Sequence, residues 1–469
     1  MNRVATRLTR AAVSATRDAG TGDDGATPFL LLACVLIWAV AVAAKASGLA
    51  VPTYMLCLTS IVLLLVEMSR RLGLLDYRSL LVFSGSFYAF VGTTDILFGN
   101  NVLLFSRDIG ALNTLVATTF LMVFGLVSLG GSPEAEAESI RQGERAPIAP
   151  ILVLVTATMV PYLFYVLSIY QTANSRVEVL AGSSVGYAAV LFAVFTGLLV
   201  IISELRQDIF QVLGFRNVQR PALPPRYLAV ILVAVLVLIL AVTQFIVLGN
   251  RREIMSFLVA AAVAAGMRRL PLWMLPVGGV LIWFTTVLPW LRQAPLSEWM
   301  DIIVNFSTYF GNLDVSNTEH YAFAIVADTY YSAPTTSNAP TMLDAFGTLI
   351  PQSIWPNRPM PAGEWFVATY YPELYRIGGG LAYNLPMETV INLGFFGPVV
   401  IPAAIALFAS RLGMRPNSAL VWRAAIVLAW LFWLRYDFAT LLKSLVLVFP
   451  FVFAWLLIQR SVVTIVRRG

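Results

Sequence analysis

Charge is scarce in this sequence. Asp, Glu, Lys and Arg fill only 12% of its 469 positions, about half the share usual in soluble domains. That is too little to clothe the apolar residues that make up 59% of the chain. Burial in lipid is the economical solution, and the chain reads as an integral membrane protein. Cysteine is almost missing as well: Cys34 and Cys57 both fall in apolar stretches, which excludes a disulfide framework and a thiolate metal site. A lone histidine, His320, excludes a zinc centre built on several imidazoles. Neither a phosphate-cradling G-x-x-x-x-G-K loop nor an H-E-x-x-H metal motif occurs, so no metal, no cofactor and no nucleic-acid partner is expected.

What the chain does have is hydrophobic runs. A spanning helix takes roughly 20 apolar residues, and about twelve runs qualify, near 29–49, 51–66, 79–98, 111–129, 150–170, 185–203, 227–248, 254–270, 272–290, 386–409, 419–434 and 438–459. The first lacks a small-residue cleavage pattern and reads as a retained helix. An even count puts both termini on one side. Arg3, Arg7, Arg10 and Arg17 at the start, with Arg460, Arg467 and Arg468 at the end, make that side cytoplasmic by the positive-inside rule. The same arrangement puts 21 of the 31 Lys and Arg residues inside. The eighth run, between Arg251–Glu253 and Arg268–Arg269, is near the lower limit for crossing. It is read as crossing because inversion would send Arg411, Arg415, Arg423 and the C-terminal arginines outside. An internal repeat of the kind many transporters carry is not evident.

The expected fold is therefore all-α and polytopic, in four parts. Residues 1–28 form an Arg-, Thr-, Ala- and Gly-rich tail suited to the neighbourhood of anionic lipid. Residues 29–290 form a bundle of about nine transmembrane helices, interrupted by a linker from Gly130 to Pro147. Residues 291–385 form one large extracytoplasmic loop domain, in which three arginines face eight acids. Residues 386–469 contribute about three more helices and a short cytoplasmic tail.

Several residues stand where lipid-facing sequence would not put them. Arg251 and Arg252 open a helix, where free backbone N–H groups already favour an anion. Arg435 closes one, and Lys443 lies inside the last run, where a cation needs a carboxylate, a carbonyl or a bound anion. Asp437, between them, is placed to cap the last helix. A buried Asp437–Lys443 pair with snorkelling arginines would be the purely structural alternative. In the loop domain, LIPQSIWPNRP (Leu349 to Pro359) sets Trp355 and Arg358 between prolines that stiffen the chain; an amphipathic loop resting on lipid would have the same composition. A guanidinium suits phosphate because its planar fork donates two parallel hydrogen bonds and stays charged. Gly378, Gly379 and Gly380 permit close backbone approach or a plain hinge. Glu388 follows Pro386 in the first turn of a helix, where a carboxylate is favoured. His320 beside Glu319, with Asp328 eight residues on and nearly on the same helical face, supplies candidate acid–base groups. Trp355, Trp365, Tyr370 and Tyr371 could stack on sugar faces or sit in an interfacial aromatic belt.

Taken in order, LGNRREI at a helix head, the long loop, LIPQSIWPNRP, GGGLAYNLPMETVINLGFFGP entering a helix, and LRYDFATLLK near the end resemble the O-antigen polymerase (Wzy-type) family. The resemblance covers roughly the last 220 residues. It implies a GT-C-like membrane glycosyltransferase, similar to O-antigen ligases, at the outer face of a bacterial cytoplasmic membrane. Such an enzyme joins oligosaccharide repeat units carried on undecaprenyl pyrophosphate, without metal or nucleotide sugar, in an exopolysaccharide pathway that also has a flippase and a chain-length regulator as partners. Arg251 or Arg252 and Arg435 would then bind pyrophosphate with Lys443, and Arg358 or Arg376 would neutralise the leaving group. The proton of the acceptor would fall to His320, Glu319, Asp328 or Glu388. The alternatives are a ligase that moves the glycan to another acceptor and a lipid-linked oligosaccharide flippase.

Overall fold

The computed structural model describes residues 26–98, 107–130, 192–203, 251–267, 296–305, 340–350, 354–376, 383–413 and 419–468. Among the described residues the chain is all-helical. Along the chain α1 is Ala26–Ala46, α2 Ala50–Leu72, α3 Tyr77–Phe98 and α4 Arg107–Leu129, and α5 is Phe192–Ser203. Then come α6 Arg251–Ala264, α7 Trp299–Val304, α8 Asp344–Gly347, α9 Ala362–Tyr370, α10 Pro372–Arg376, α11 Leu385–Leu393, α12 Gly397–Gly413, α13 Ala419–Trp430 and α14 Phe438–Arg468. Among the described residues five stretches are long and apolar enough to cross a membrane: Phe29–Ala46, Ala50–Leu72, Arg107–Leu129, Leu385–Gly413 and Phe438–Ile458. They coincide with five of the expected runs. The runs near 150–170, 227–248 and 272–290, the N-terminal tail to residue 25 and the linker from residue 131 lie outside the described residues.

While α6 packs on α13, helix α4 packs against α1, α2, α3, α11 and α12. Its buried positions include Gly110, Ala111, Thr114, Ala117, Thr118, Gly125 and Ser128, small residues that let helix backbones approach where no water drives them together. A Cβ on Gly125 would stand 2.7 Å from Leu64 Cδ2, and one on Gly85 would stand 2.6 Å from Leu121 Cδ2. Polar threads cross the same contacts: Ser60 Oγ donates to the Cys34 carbonyl at 3.0 Å, and Trp38 Nε1 donates to Thr119 Oγ1 at 3.0 Å.

The two ends of this bundle carry different charges. At one, Lys45 pairs with Asp108 at 2.5 Å, joining the end of α1 to the start of α4. At the other, the enclosed carboxylate of Glu67 accepts from Arg70 and Arg71, and Arg78 pairs with Asp76 at 2.8 Å. Tyr77 reaches from that second end to the Ala409 carbonyl at 3.3 Å, so α12 runs antiparallel to α3. The Arg423 guanidinium lies 5.9 Å from the centre of the Tyr77 ring and donates to the Gly413 carbonyl.

Three elements differ from the runs read in the sequence, and each has a local cause. Helix α6, described from Arg251, stops at Ala264, before the expected end of its run near residue 270. It ends where Gly266 takes φ +74° and Met267 N donates back to the Ala262 carbonyl. The tenth run is broken into α11 and α12 by a 3-10 turn, Gly394–Phe396, with Gly394 at φ +61°. Helix α13 stops at Trp430, and the chain runs into a second 3-10 turn, Trp433–Arg435. That turn stands against the middle of α3 and α4: Trp433 Nε1 donates to the Leu81 carbonyl at 3.0 Å, and its ring packs on Phe120 and Phe124.

Candidate functional site

The broken elements meet in one place. Asn384 opens α11 by accepting from Met387 N, and its amide donates to Asn113 Oδ1 of α4 at 3.4 Å. Asn113 in turn donates to Thr93 of α3. This chain of amides fixes the start of α11 well inside the bundle, with Met387 and Val390 packed against Val116. One turn in, Glu388 is 2% exposed, and its Oε2 accepts from Phe438 N at 2.7 Å.

Asp437, 4% exposed, serves two helices. Its Oδ1 accepts from Thr440 N at 2.7 Å, capping α14 as its sequence position suggests. Its Oδ2 accepts from Gly363 N at 3.0 Å, which holds the first turn of α9 from the loop. The two carboxylates are thus neutralised by three N–H groups at two helix starts, where the backbone dipoles favour negative charge. Apolar contacts complete the docking of the loop: Ala362, Phe366 and Val367 join Val116, Met387 and Val390 in a small cluster, and Phe346 of α8 meets Phe438 edge-on at 6.3 Å. Met342 N donates to Asn392 Oδ1 of α11 at 2.8 Å.

Two cations face this acidic corner. Lys443, about one and a half turns into α14, lies within electrostatic reach of Asp437, Arg358 and Glu364. Arg358 comes from the loop. Its Nη1 donates to the Thr348 carbonyl at 2.5 Å and to the Ile350 carbonyl at 2.7 Å, which folds the WPNRP segment back on α8. Trp355 and Pro359 lie over Gly347, where a Cβ would meet them at 3.3 Å and 3.1 Å. Arg358 Nε is enclosed and has no hydrogen-bond partner among the described residues. Glu364, half-buried at the start of α9, accepts from the Tyr375 hydroxyl at 3.1 Å. Burial and the Glu364 charge push the Tyr375 phenol above its ordinary range.

Of the expected site residues, Arg358, Lys443 and Glu388 are brought into one region. Arg435 is half-buried in the turn before α14. Arg376 instead pairs with Glu373 at 2.7 Å with 71% of its side chain exposed. Trp365 and Tyr371 pack on the small apolar cluster of α9, while Trp355 is 41% exposed. Arg251, Arg252 and Tyr370 have their backbones in α6 and α9, but their side chains lie outside the described residues. So do His320, Glu319, Asp328, Gly378, Gly379 and Gly380 altogether. Two participants escaped the sequence reading. Gly363 is the backbone donor to Asp437, and Glu364 is the acid beside Tyr375; the Pro361-to-Glu364 stretch, a proline followed by an acid in the first turn, was the available signal. Among the described residues no group of three His, Cys, Asp or Glu side chains could hold a metal ion.

These features define an all-helical protein with membrane-spanning helices and a polar cluster inside the bundle. No family model, curated protein or solved structure matches the chain.

Proposed function

We propose that the chain is a membrane glycosyltransferase that joins oligosaccharide repeat units carried on undecaprenyl pyrophosphate, acting at the outer face of a bacterial cytoplasmic membrane. The observation that carries this reading is the docking of the loop on the start of the last helix: Arg358 folds its segment onto α8, Phe346 of α8 meets Phe438, and Lys443 stands about one and a half turns further along the same helix. The orphaned Nε of Arg358 adds a donor whose natural partner is an anionic oxygen, since a buried guanidinium N–H left unpaired is costly. A lipid-linked diphosphate meets both requirements at once: its phosphates accept from the two cations, and its hydrocarbon remains among apolar helices. Preformed donors at the phosphate would stabilise the negative charge that develops as the sugar–phosphate bond breaks.

In this reading α9 and the WPNRP segment are the parts of the loop that cover the reacting centre. Asp437 holds the first through Gly363, and Arg358 Nη1 holds the second. The Lys45–Asp108 end of the bundle faces outward, and both termini are cytoplasmic. The test is elongation by purified protein given lipid-linked repeat units in detergent. Growth of the glycan without any second compartment supports an enzyme and excludes a flippase. Transfer to an unrelated lipid or protein acceptor, with no growth of the repeat, would replace the polymerase with a ligase.

A further inference from the structure

Which group takes the proton of the attacking hydroxyl is open in the sequence, where Glu388 is one candidate. The geometry argues against Glu388 in that role. Its residue is 2% exposed and its Oε2 is occupied by Phe438 N at 2.7 Å, so it acts as a cap that an incoming sugar does not reach. Asp437 is committed on both oxygens, to Thr440 N and Gly363 N. Glu364 is different. It stands one residue beyond the Gly363 anchor, so the same contact that docks α9 fixes its Cα. It is half-buried rather than enclosed. One oxygen, Oε1, accepts from the exposed Tyr375, and the Gly363–Asp437 contact sets the residue beside the start of α14, where its charge reaches Lys443.

Resting on the glycosyltransferase reading, we propose that the Glu364 carboxylate is the base for the acceptor, flanked by Tyr375, while Lys443 and Arg358 hold the departing diphosphate. In the step, the acceptor oxygen forms a bond to the anomeric carbon as the bond from that carbon to the diphosphate oxygen breaks. The bonding pair leaves with the diphosphate, and the hydroxyl proton passes to Glu364. The carboxyl then returns that proton to water or to the released diphosphate. A base has to face the leaving-group cations across the anomeric carbon and remain open to a sugar; among the described acids Glu388 and Asp437 are enclosed and committed, whereas Glu364 is open. Tyr375 is a positioning residue: its hydrogen bond holds one carboxylate oxygen and leaves the other for the acceptor.

The experiment uses the full chain with lipid-linked repeat units and, separately, binding of undecaprenyl pyrophosphate alone. Glu364→Gln is expected to lower kcat for elongation about a hundredfold or more, with undecaprenyl pyrophosphate bound as by the parent chain. Glu364→Asp is expected to recover part of the rate, and Tyr375→Phe to lower kcat a fewfold. Elongation by Glu364→Gln within threefold of the parent would overturn the assignment and leave the function standing. Equal losses of binding and rate would make Glu364 a binding residue and also overturn it. A parent chain that elongates nothing would end the functional reading, and this assignment with it.

Discussion

The Asp437 carboxylate accepts the backbone N–H of Gly363 at 3.0 Å across 74 residues of sequence, while its other oxygen caps α14. One side chain thus joins the loop to the last helix. Replacing it with Ala leaves two N–H donors unsatisfied in a buried place, each costing about 1–3 kcal/mol. Asp437→Ala is therefore expected to lower thermal stability in detergent and to speed tryptic cleavage after Arg376, since the bond after Arg358 leads into Pro359 and resists trypsin. Asp437→Asn, which keeps one acceptor, should fall between it and the parent. Unchanged cleavage would show that α9 docks without this contact.

Glu388 is expected to behave as a cap. Glu388→Gln preserves an acceptor for Phe438 N and should cost less than about 1 kcal/mol, whereas Glu388→Leu strands that donor and should cost about 1–3 kcal/mol. Thermal unfolding of the two variants side by side measures the difference.

Arg358→Lys keeps the charge but has one nitrogen in place of three, and in the parent Nη1 alone serves both the Thr348 and Ile350 carbonyls. A lysine cannot hold α8 against the WPNRP segment and also face an anion. The expected result is a loss of elongation of about a hundredfold together with faster proteolysis of the 340–360 region. Parent-like polymer yield from a folded variant would remove Arg358 from the site.

The helix break makes a steric prediction. A Cβ on Gly397 would stand 2.1 Å from the Thr389 carbonyl oxygen, a backbone atom with no way to yield. Nothing lies within 4 Å of a Cβ on Gly394, whose φ is +61°. Gly394→Ala should therefore cost about 1–2 kcal/mol of backbone strain, and Gly397→Ala distinctly more. Expression level and melting temperature in detergent rank the pair.

Tyr375 should ionise later than an ordinary phenol, whose value is about 10, because burial and the neighbouring Glu364 charge both oppose tyrosinate. In the alkaline difference spectrum between the parent chain and Tyr375→Phe, the missing transition should lie above that value. In the Glu364→Gln background it should move down, toward the ordinary value without reaching it, since burial remains.

What could be read from the sequence was what depends on neighbours along the chain. The Asn384–Pro386 start of α11 and the Asp437 cap both follow from local backbone needs, and each stands where the residue types put it. The break at Gly394 was hidden because its 3-10 turn, Gly394 to Phe396, is as apolar as the helices on either side, and hydropathy does not distinguish a bent run from a straight one. The stop of α13 at Trp430 was hidden for the same reason. Convergence of distant charges was legible only as a need for partners: Lys443 demanded something, but only the fold says that Arg358 and Glu364 share its surroundings while Arg376 turns to Glu373.

Every one of the residues of α13 from Ala419 to Trp430 is buried, and the chain beyond it is tied to α3 by the Trp433 indole. A helix enclosed on all sides touches no lipid. Its sequence answers to the shapes of its neighbours rather than to hydropathy alone, so exchanges that an outward-facing helix would absorb are felt there as misfit.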